Sequence, residues 1–245
     1  MLIDTHAHLD EIKDLEGALS RAREKGIQAV IGVGSGLASN EKTLELSERF
    51  PGFVFPALGL HPWQIEEEDL KANLSLMEKE IGRCVAFGEI GLDWAIASPR
   101  QKQEETLRSL LELAYQKGRP VLLHARRAWA EVLALLKTHK IEKAVFHWYS
   151  GPKDVLREAL ALGFFISATP AAAYSARHGS AIQRVSLNQL LVETDSPEAY
   201  QGIPSEPKEL IATISAVSRL TGKGPEEVAR QTGENAQKFF QINPS

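Results

Sequence analysis

Short runs rich in Val, Ile and Phe alternate along this chain with longer stretches whose apolar residues recur at helical spacing. The runs predict strands over residues 3–8, 28–33, 53–58, 84–90, 120–124, 144–147, 164–167 and 190–194. The amphipathic stretches predict helices over 15–24, 40–49, 99–117, 128–138, 152–162 and 174–185. Asn40 reads as the cap of the second of these. Pro62 and the acidic run 66–69 predict a further helix ending near residue 80, since negative charge is favourable at a helix N-terminus. The four carboxylates of that run read as a solvated helix start. Three helices close the chain, over 206–220, 225–231 and 234–240.

Eight strands, each followed by a helical stretch, argue for a parallel sheet covered by helices. In 245 residues that count matches an α/β (β/α)8 TIM barrel. A doubly wound open sheet is the alternative, but it requires no particular number of strands. No linker, low-complexity segment or long charge block interrupts the pattern, so 1–245 reads as one domain.

Composition adds boundaries. With 43% hydrophobic and 24% charged residues, a chain of this length buries a core without covalent staples. A single cysteine, Cys84, excludes an internal disulfide and points to a reducing, cytoplasmic setting. In its apolar run it reads as a buried, inert thiol. The formal net charge of -4 does not point to a protein that coats nucleic acid by bulk electrostatics. It leaves room for a nucleic-acid enzyme with a local basic patch. No signal-peptide pattern opens the chain and no apolar run reaches membrane-spanning length.

The chemistry gathers where the predicted strands end. The first carries His6 and His8, and the two-residue period of a strand puts both imidazoles on one face. The third runs into His61, the fourth into Glu89, the fifth ends at His124 and Arg126, the sixth at His147, and the eighth in Glu193 and Asp195. In a barrel these ends form one rim, where active sites are built. Several imidazoles and carboxylates in one mouth carry a heavy desolvation cost unless cations neutralise them. The mixed nitrogen and oxygen set suits Mg, Mn or Zn. The first and eighth strands are neighbours in a closed barrel, so His6, His8 and Asp195 can bind one ion. His124 and His147, also on neighbouring strands, can bind a second, and Glu89 can bridge the two. Water activated by both ions would be the nucleophile, with Asp195 orienting it or taking its proton.

These residues stand in stretches that resemble the TatD family of metal-dependent deoxyribonucleases, within the amidohydrolase-like barrels. The stretches are Ile3-Asp4-Thr5-His6-Ala7-His8-Leu9-Asp10, Gly59-Leu60-His61-Pro62, Gly88-Glu89-Ile90-Gly91-Leu92-Asp93, His124-Ala125-Arg126, Glu193-Thr194-Asp195-Ser196-Pro197 and Gly233-Glu234-Asn235-Ala236. The resemblance spans nearly the whole chain. It implies a (β/α)8 barrel that hydrolyses phosphodiester bonds in DNA with divalent metals. By position it implies His6, His8 and Asp195 as ligands of one metal, His124 and His147 as ligands of the other, and Glu89 as the shared carboxylate. Two departures bear on substrate preference and leave metal binding untouched: Trp148-Tyr149-Ser150-Gly151 where the family has Phe-Ser-Gly, and Glu198-Ala199-Tyr200 where it often has Tyr-Leu.

Around this centre His61 is placed to contact a phosphate or orient water, and Arg126 to neutralise a phosphate oxygen. Glu193 can hold the second ring nitrogen of a ligand histidine, and Asp4 can tie the site to a neighbouring strand. Arg177 or His178 can meet the substrate strand. Trp63, Trp94, Trp148 and Tyr149 lie in rim loops, where rings stack on bases or pack helices onto the barrel, and Trp129 reads as packing. His139, Lys140 and Lys143 read as solvated residues at the opposite end. The expectation is a monomeric, metal-dependent nuclease acting exonucleolytically or on single-stranded or frayed DNA. The alternatives are a metal-dependent hydrolase of a small amide, lactone or phosphoester, and a metal-stabilised scaffold or nucleic-acid-binding protein.

Overall fold

The computed structural model describes residues 1–244. Eight parallel strands follow one another around the sheet in chain order: β1 (Leu2–Ala7), β2 (Ile27–Val33), β3 (Val54–Leu58), β4 (Ala86–Asp93), β5 (Val121–Arg126), β6 (Ala144–Phe146), β7 (Phe165–Ala168) and β8 (Leu190–Val192). The ring closes where β1 meets the chain leaving β8. There the Asp195 amide donates to the His6 carbonyl at 2.9 Å and the His8 amide donates to the Ser196 carbonyl at 2.7 Å. Outside lie α1 (Leu15–Glu24), α2 (Leu37–Arg49), α3 (Leu70–Lys79), α4 (Arg100–Lys117), α5 (Trp129–Thr138), α6 (Lys153–Ala161), α7 (Ala176–Ile182) and α8 (Leu210–Thr221). This is the (β/α)8 TIM barrel that the alternation predicts, rather than the open sheet. A short hairpin, β9 (Ala199–Tyr200) and β10 (Ile203–Pro204), stands between β8 and α8, and α9 (Pro225–Phe240) ends the fold.

The period of two sorts each strand into two faces. Leu58, Leu92, Leu123, Phe146 and Ile166 pack outward under the helices, while Ala29, Ala57, Leu122, Val145 and Leu191 fill the barrel. Two residues further along the same inward rows stand His124, His147 and Glu193, with Asp195 beyond Glu193. Simple alternation therefore stacks a polar layer on an apolar one, at the C-terminal rim. β4 needs one more device. Phe87 and Ile90 both pack outward although they are three apart, and the β4–β5 register shifts between them. One extra residue in a strand is a bulge, and here it turns Glu89 into the barrel.

Three expectations change. The C-terminal segment forms one unbroken helix, α9, where two were predicted to part near Gly233. The glycine there marks close approach: a Cβ would lie 2.4 Å from the Met1 carbonyl oxygen. From this seat α9 brings Phe239 and Phe240, with Ile242 beyond them, against the inward apolar layer and plugs the N-terminal end of the barrel. Asn40 does not cap α2 but lies buried within it. Its amide accepts from Gly59 N–H at 2.9 Å and donates to the Gly59 carbonyl at 2.8 Å, which pins the loop leading to His61. The acidic run is not all solvated, and α3 starts only at Leu70, behind Asp69 as cap. Glu68 is drawn away instead, accepting from the Leu37 amide at 3.2 Å and from Asn73 Nδ2 at 2.9 Å. Cys84 is buried as expected, and burial pushes its thiol up to about 11. Among the described residues no helix is long and apolar enough to cross a membrane.

Candidate metal centre

Four donors from distant parts of the chain come together. His6 Nε2 and His8 Nε2 are 3.4 Å apart. Glu89 Oε2 lies 3.3 and 3.4 Å from them, and Asp195 Oδ1 lies 3.6 Å from each. Atoms bound tetrahedrally at about 2.1 Å from one cation are separated by roughly 3.4 Å. The triangle of His6, His8 and Glu89 has that spacing, and its nitrogen and oxygen donors are of the kind a divalent ion takes. Asp195 reaches this position with φ of 53°, in the left-handed region that Asp tolerates better than most residues.

The other carboxylate oxygen of Glu89 faces the rest of the rim. Oε1 lies 3.0 Å from His124 Nδ1, 3.6 Å from His147 Nε2 and 3.7 Å from His61 Nε2. All six side chains predicted to bind metal therefore converge, with Glu89 between the two sets of imidazoles. His147 stands between the two sets: its ring also stacks on His6 at 4.2 Å between centroids, and Nε2 approaches Asp195 Oδ2 at 3.8 Å. His61 takes the place beside His124 and Glu89.

Hydrogen bonds on the far side of each ring decide which nitrogen presents a lone pair. Glu193 Oε1 accepts from His147 Nδ1–H at 2.8 Å, leaving Nε2 free toward the centre. Asp93 Oδ2 accepts from His124 Nε2–H at 3.2 Å, leaving Nδ1 free toward Glu89. His61 is the reverse case. Its Nδ1 accepts the Trp63 amide at 3.2 Å, so the proton of the neutral ring sits on Nε2 and points at Glu89. Burial holds His61 well below its ordinary value, in the neutral form. His61 is thus built as a donor rather than a ligand.

The charges are tightly balanced. Burial alone would neutralise Glu89, yet His61, His6, His147 and His124 hold it well below the usual carboxylate range. Burial likewise opposes charge on His147, but Glu193, Asp195 and Glu89 push it up to about 10. His8 is raised to about 9, its burial outweighed by Glu89 and Asp195. Asp195 goes the other way and is raised, chiefly by burial.

Asp93 is a site residue that the sequence reading misses. It is fully buried, accepts Trp63 Nε1–H at 2.7 Å as well as His124, and has its backbone clamped by Gln103. These donors outweigh burial and lower its carboxyl to about 2. A signal for it exists in the chain: Asp93 follows Glu89 and Gly91 at the same strand parity. Arg126 stands exposed above it, Nη1 3.8 Å from Asp93 Oδ2. Glu193 has the role expected of it, and Asp4 is tied across the barrel seam to the Thr194 amide at 2.9 Å. Other candidates fall away. His178 is buried, accepting the Thr169 amide and donating to the Tyr149 carbonyl, so it cannot reach a substrate. Tyr149 is buried with its hydroxyl on the Pro152 carbonyl, and Arg100 covers one face of Trp94 at 4.4 Å. Trp63, 55% exposed, and Trp148 line the open cavity of about 460 Å³ above Glu89.

A family model described as TatD related DNase matches residues 3–241. The chain belongs to the TatD-related DNase family. Deoxyribonuclease TATDN3 of Homo sapiens is 30% identical over 258 residues, which cover 98% of this chain and 94% of the relative. A Bacillus subtilis protein named uncharacterized metal-dependent hydrolase YabD is 31% identical over 258 residues, covering 99% and 100%. Among solved structures, the TatD homologue YjjV of Escherichia coli K12 matches with a TM-score of 0.91 at 28% identity, covering 99% of this chain and 98% of that one. This TatD-family barrel is an enzyme, a metal-dependent hydrolase.

Proposed function

We propose that this TatD-family hydrolase cleaves phosphodiester bonds in DNA, at loose ends or in single strands, with two divalent cations of the Mg, Mn or Zn kind. The observation that carries the reading is the triangle of His6 Nε2, His8 Nε2 and Glu89 Oε2, with edges of 3.3–3.4 Å and with Asp195 Oδ1 3.6 Å from both imidazoles, at the floor of an open cavity. Those four residues would hold one cation, and His124 and His147, with the other oxygen of Glu89, the second. Bound there, the cations supply the positive charge that makes water a nucleophile near neutral pH and stabilises charge developing on the phosphorus oxygens.

The remaining roles fall to groups of the chain. Asp195, raised by burial, is fitted to accept a proton from attacking water. Arg126 offers its guanidinium to a phosphate oxygen, and His61 offers Nε2–H beside Glu89. Glu193 and Asp93 keep His147 and His124 in the tautomers described above. The recessed position of Glu89 supports a loose end or flexible strand over a stiff duplex, and the chain would work as a monomer.

The test is release of nucleotides from end-labelled single-stranded and duplex DNA, with and without chelator, followed by return of Mg, Mn or Zn. Cleavage should stop with chelator, return with metal, and favour the single strand. Unchanged cleavage by His147→Ala and Asp195→Ala would refute the assignment.

A further inference from the structure

Beside the metal centre opens a second cavity of about 450 Å³, and Trp129 and Ser150 line both. Trp129, at the first position of α5, is half-buried and fixed. Its ring lies against Gly151 so closely that a Cβ there would come within 2.6 Å of Cγ and Cδ2. Tyr149 backs the ring at 6.2 Å between centroids. The indole is therefore a packed wall shared by both cavities.

The two compartments differ in charge. The first is lined by Glu11, Glu89, Asp195 and Glu198 against a single arginine, Arg126. Among the described residues no carboxylate lines the second, although the chain has more acidic than basic residues, 32 against 28. Its wall carries Lys153, from the start of α6, and Arg177, from α7, both exposed. Two exposed cations, an aromatic face and a cavity sharing a wall with the reaction centre match the repeating unit of a nucleic-acid strand, in which an anion alternates with a flat base.

We propose that the second cavity seats the nucleotide adjacent to the scissile phosphate, with its phosphate between Lys153 and Arg177 and its base against Trp129. This rests on the nuclease reading and deepens it. The chain would then recognise two successive nucleotides, and substrate length would govern binding.

The experiment uses the full chain with manganese chloride and nuclease-resistant phosphorothioate oligothymidylates of one to six residues, with binding followed by fluorescence anisotropy. The wild-type chain should bind the two-residue oligomer at least tenfold more tightly than the single nucleotide. A Lys153→Ala, Arg177→Ala double variant should lose that step, and the slope of log K against log salt should fall by about 0.7 for each phosphate no longer neutralised. Trp129→Leu should weaken the two-residue oligomer about tenfold. Lys153 and Arg177 are exposed, and thermal melts check that the double variant is folded. Retention of the full length-dependent step by the double variant would overturn the proposal. Hydrolysis of bis(p-nitrophenyl) phosphate by the wild-type chain is measured in parallel. Turnover of that diester without a length-dependent step overturns this subsite and leaves the nuclease reading standing. Absence of both diester turnover and oligonucleotide binding overturns both.

Discussion

Asp93 Oδ2 lies 3.2 Å from His124 Nε2, across the imidazole from the nitrogen that faces Glu89. The same oxygen accepts the Trp63 indole N–H. One buried carboxylate thus sets both the direction of a lone pair and the pose of an exposed ring. Removing such a partner from a metal-binding histidine typically costs tenfold to a hundredfold in affinity. Asp93→Ala should weaken divalent-metal binding by about that factor and change Trp63 emission. Metal titration followed by tryptophan fluorescence checks it, and a loss below twofold would refute the role.

A cation that binds only the folded chain stabilises it by mass action, about 2.7 kcal/mol at a hundred times the dissociation constant. For a chain of this size that is about 5–10 °C in the unfolding midpoint. Adding Zn or Mn to chelator-treated protein should produce such a rise. The double variant His6→Ala, Asp195→Ala, which keeps only the second set of donors, should show a smaller rise. Equal midpoints for the wild-type chain with and without metal, by scanning calorimetry, would sink the metal centre.

Cation binding should be proton-linked. His8 and His147 are raised to about 9 and 10, because neighbouring carboxylates outweigh the burial that opposes their charge. A ligand imidazole must be neutral at the binding nitrogen, so below these values each must give up its proton. Affinity should therefore climb as pH rises through neutrality and level off toward 9–10. At pH 7 protons should be released on binding, as titration calorimetry in two buffers of different ionisation enthalpy would reveal. Binding without proton release contradicts the charge pattern.

Gly59 is held by contact rather than by turn geometry. A Cβ there would stand 2.4 Å from the Glu89 carbonyl oxygen and 2.6 Å from the Glu89 amide nitrogen. Neither is a flexible side-chain tip. Gly59→Ala should push the Glu89 backbone, reduce activity more than tenfold and cost about 1–3 kcal/mol. Gly82→Ala, with nothing within 4 Å of the added carbon, is the control and should change neither. Activity and urea unfolding measured side by side decide it.

What the chain reveals without coordinates follows from periodicity. Strand alternation carries His124, His147, Glu193 and Asp195 inward, and the closed ring brings His6 to Asp195. Glu89 is legible only from its motif, because its inward turn depends on a bulge that alternation does not contain. The pairing of His147 with His6, and the donor tautomer of His61, depend on ring stacking and on a backbone amide. Neither leaves a mark in residue spacing. Gly233 misleads because glycine stands both where helices stop and where another chain segment presses close, here the Met1 carbonyl.

The inward apolar layer fills the barrel and Phe239 and Phe240 seal its far end, so the site opens only at one rim. Whatever enters to be cut, and whatever is released, must use one doorway. Product has to leave before the next substrate can enter, and each excludes the other while it occupies the site. Product should therefore slow turnover in a manner that excess substrate relieves.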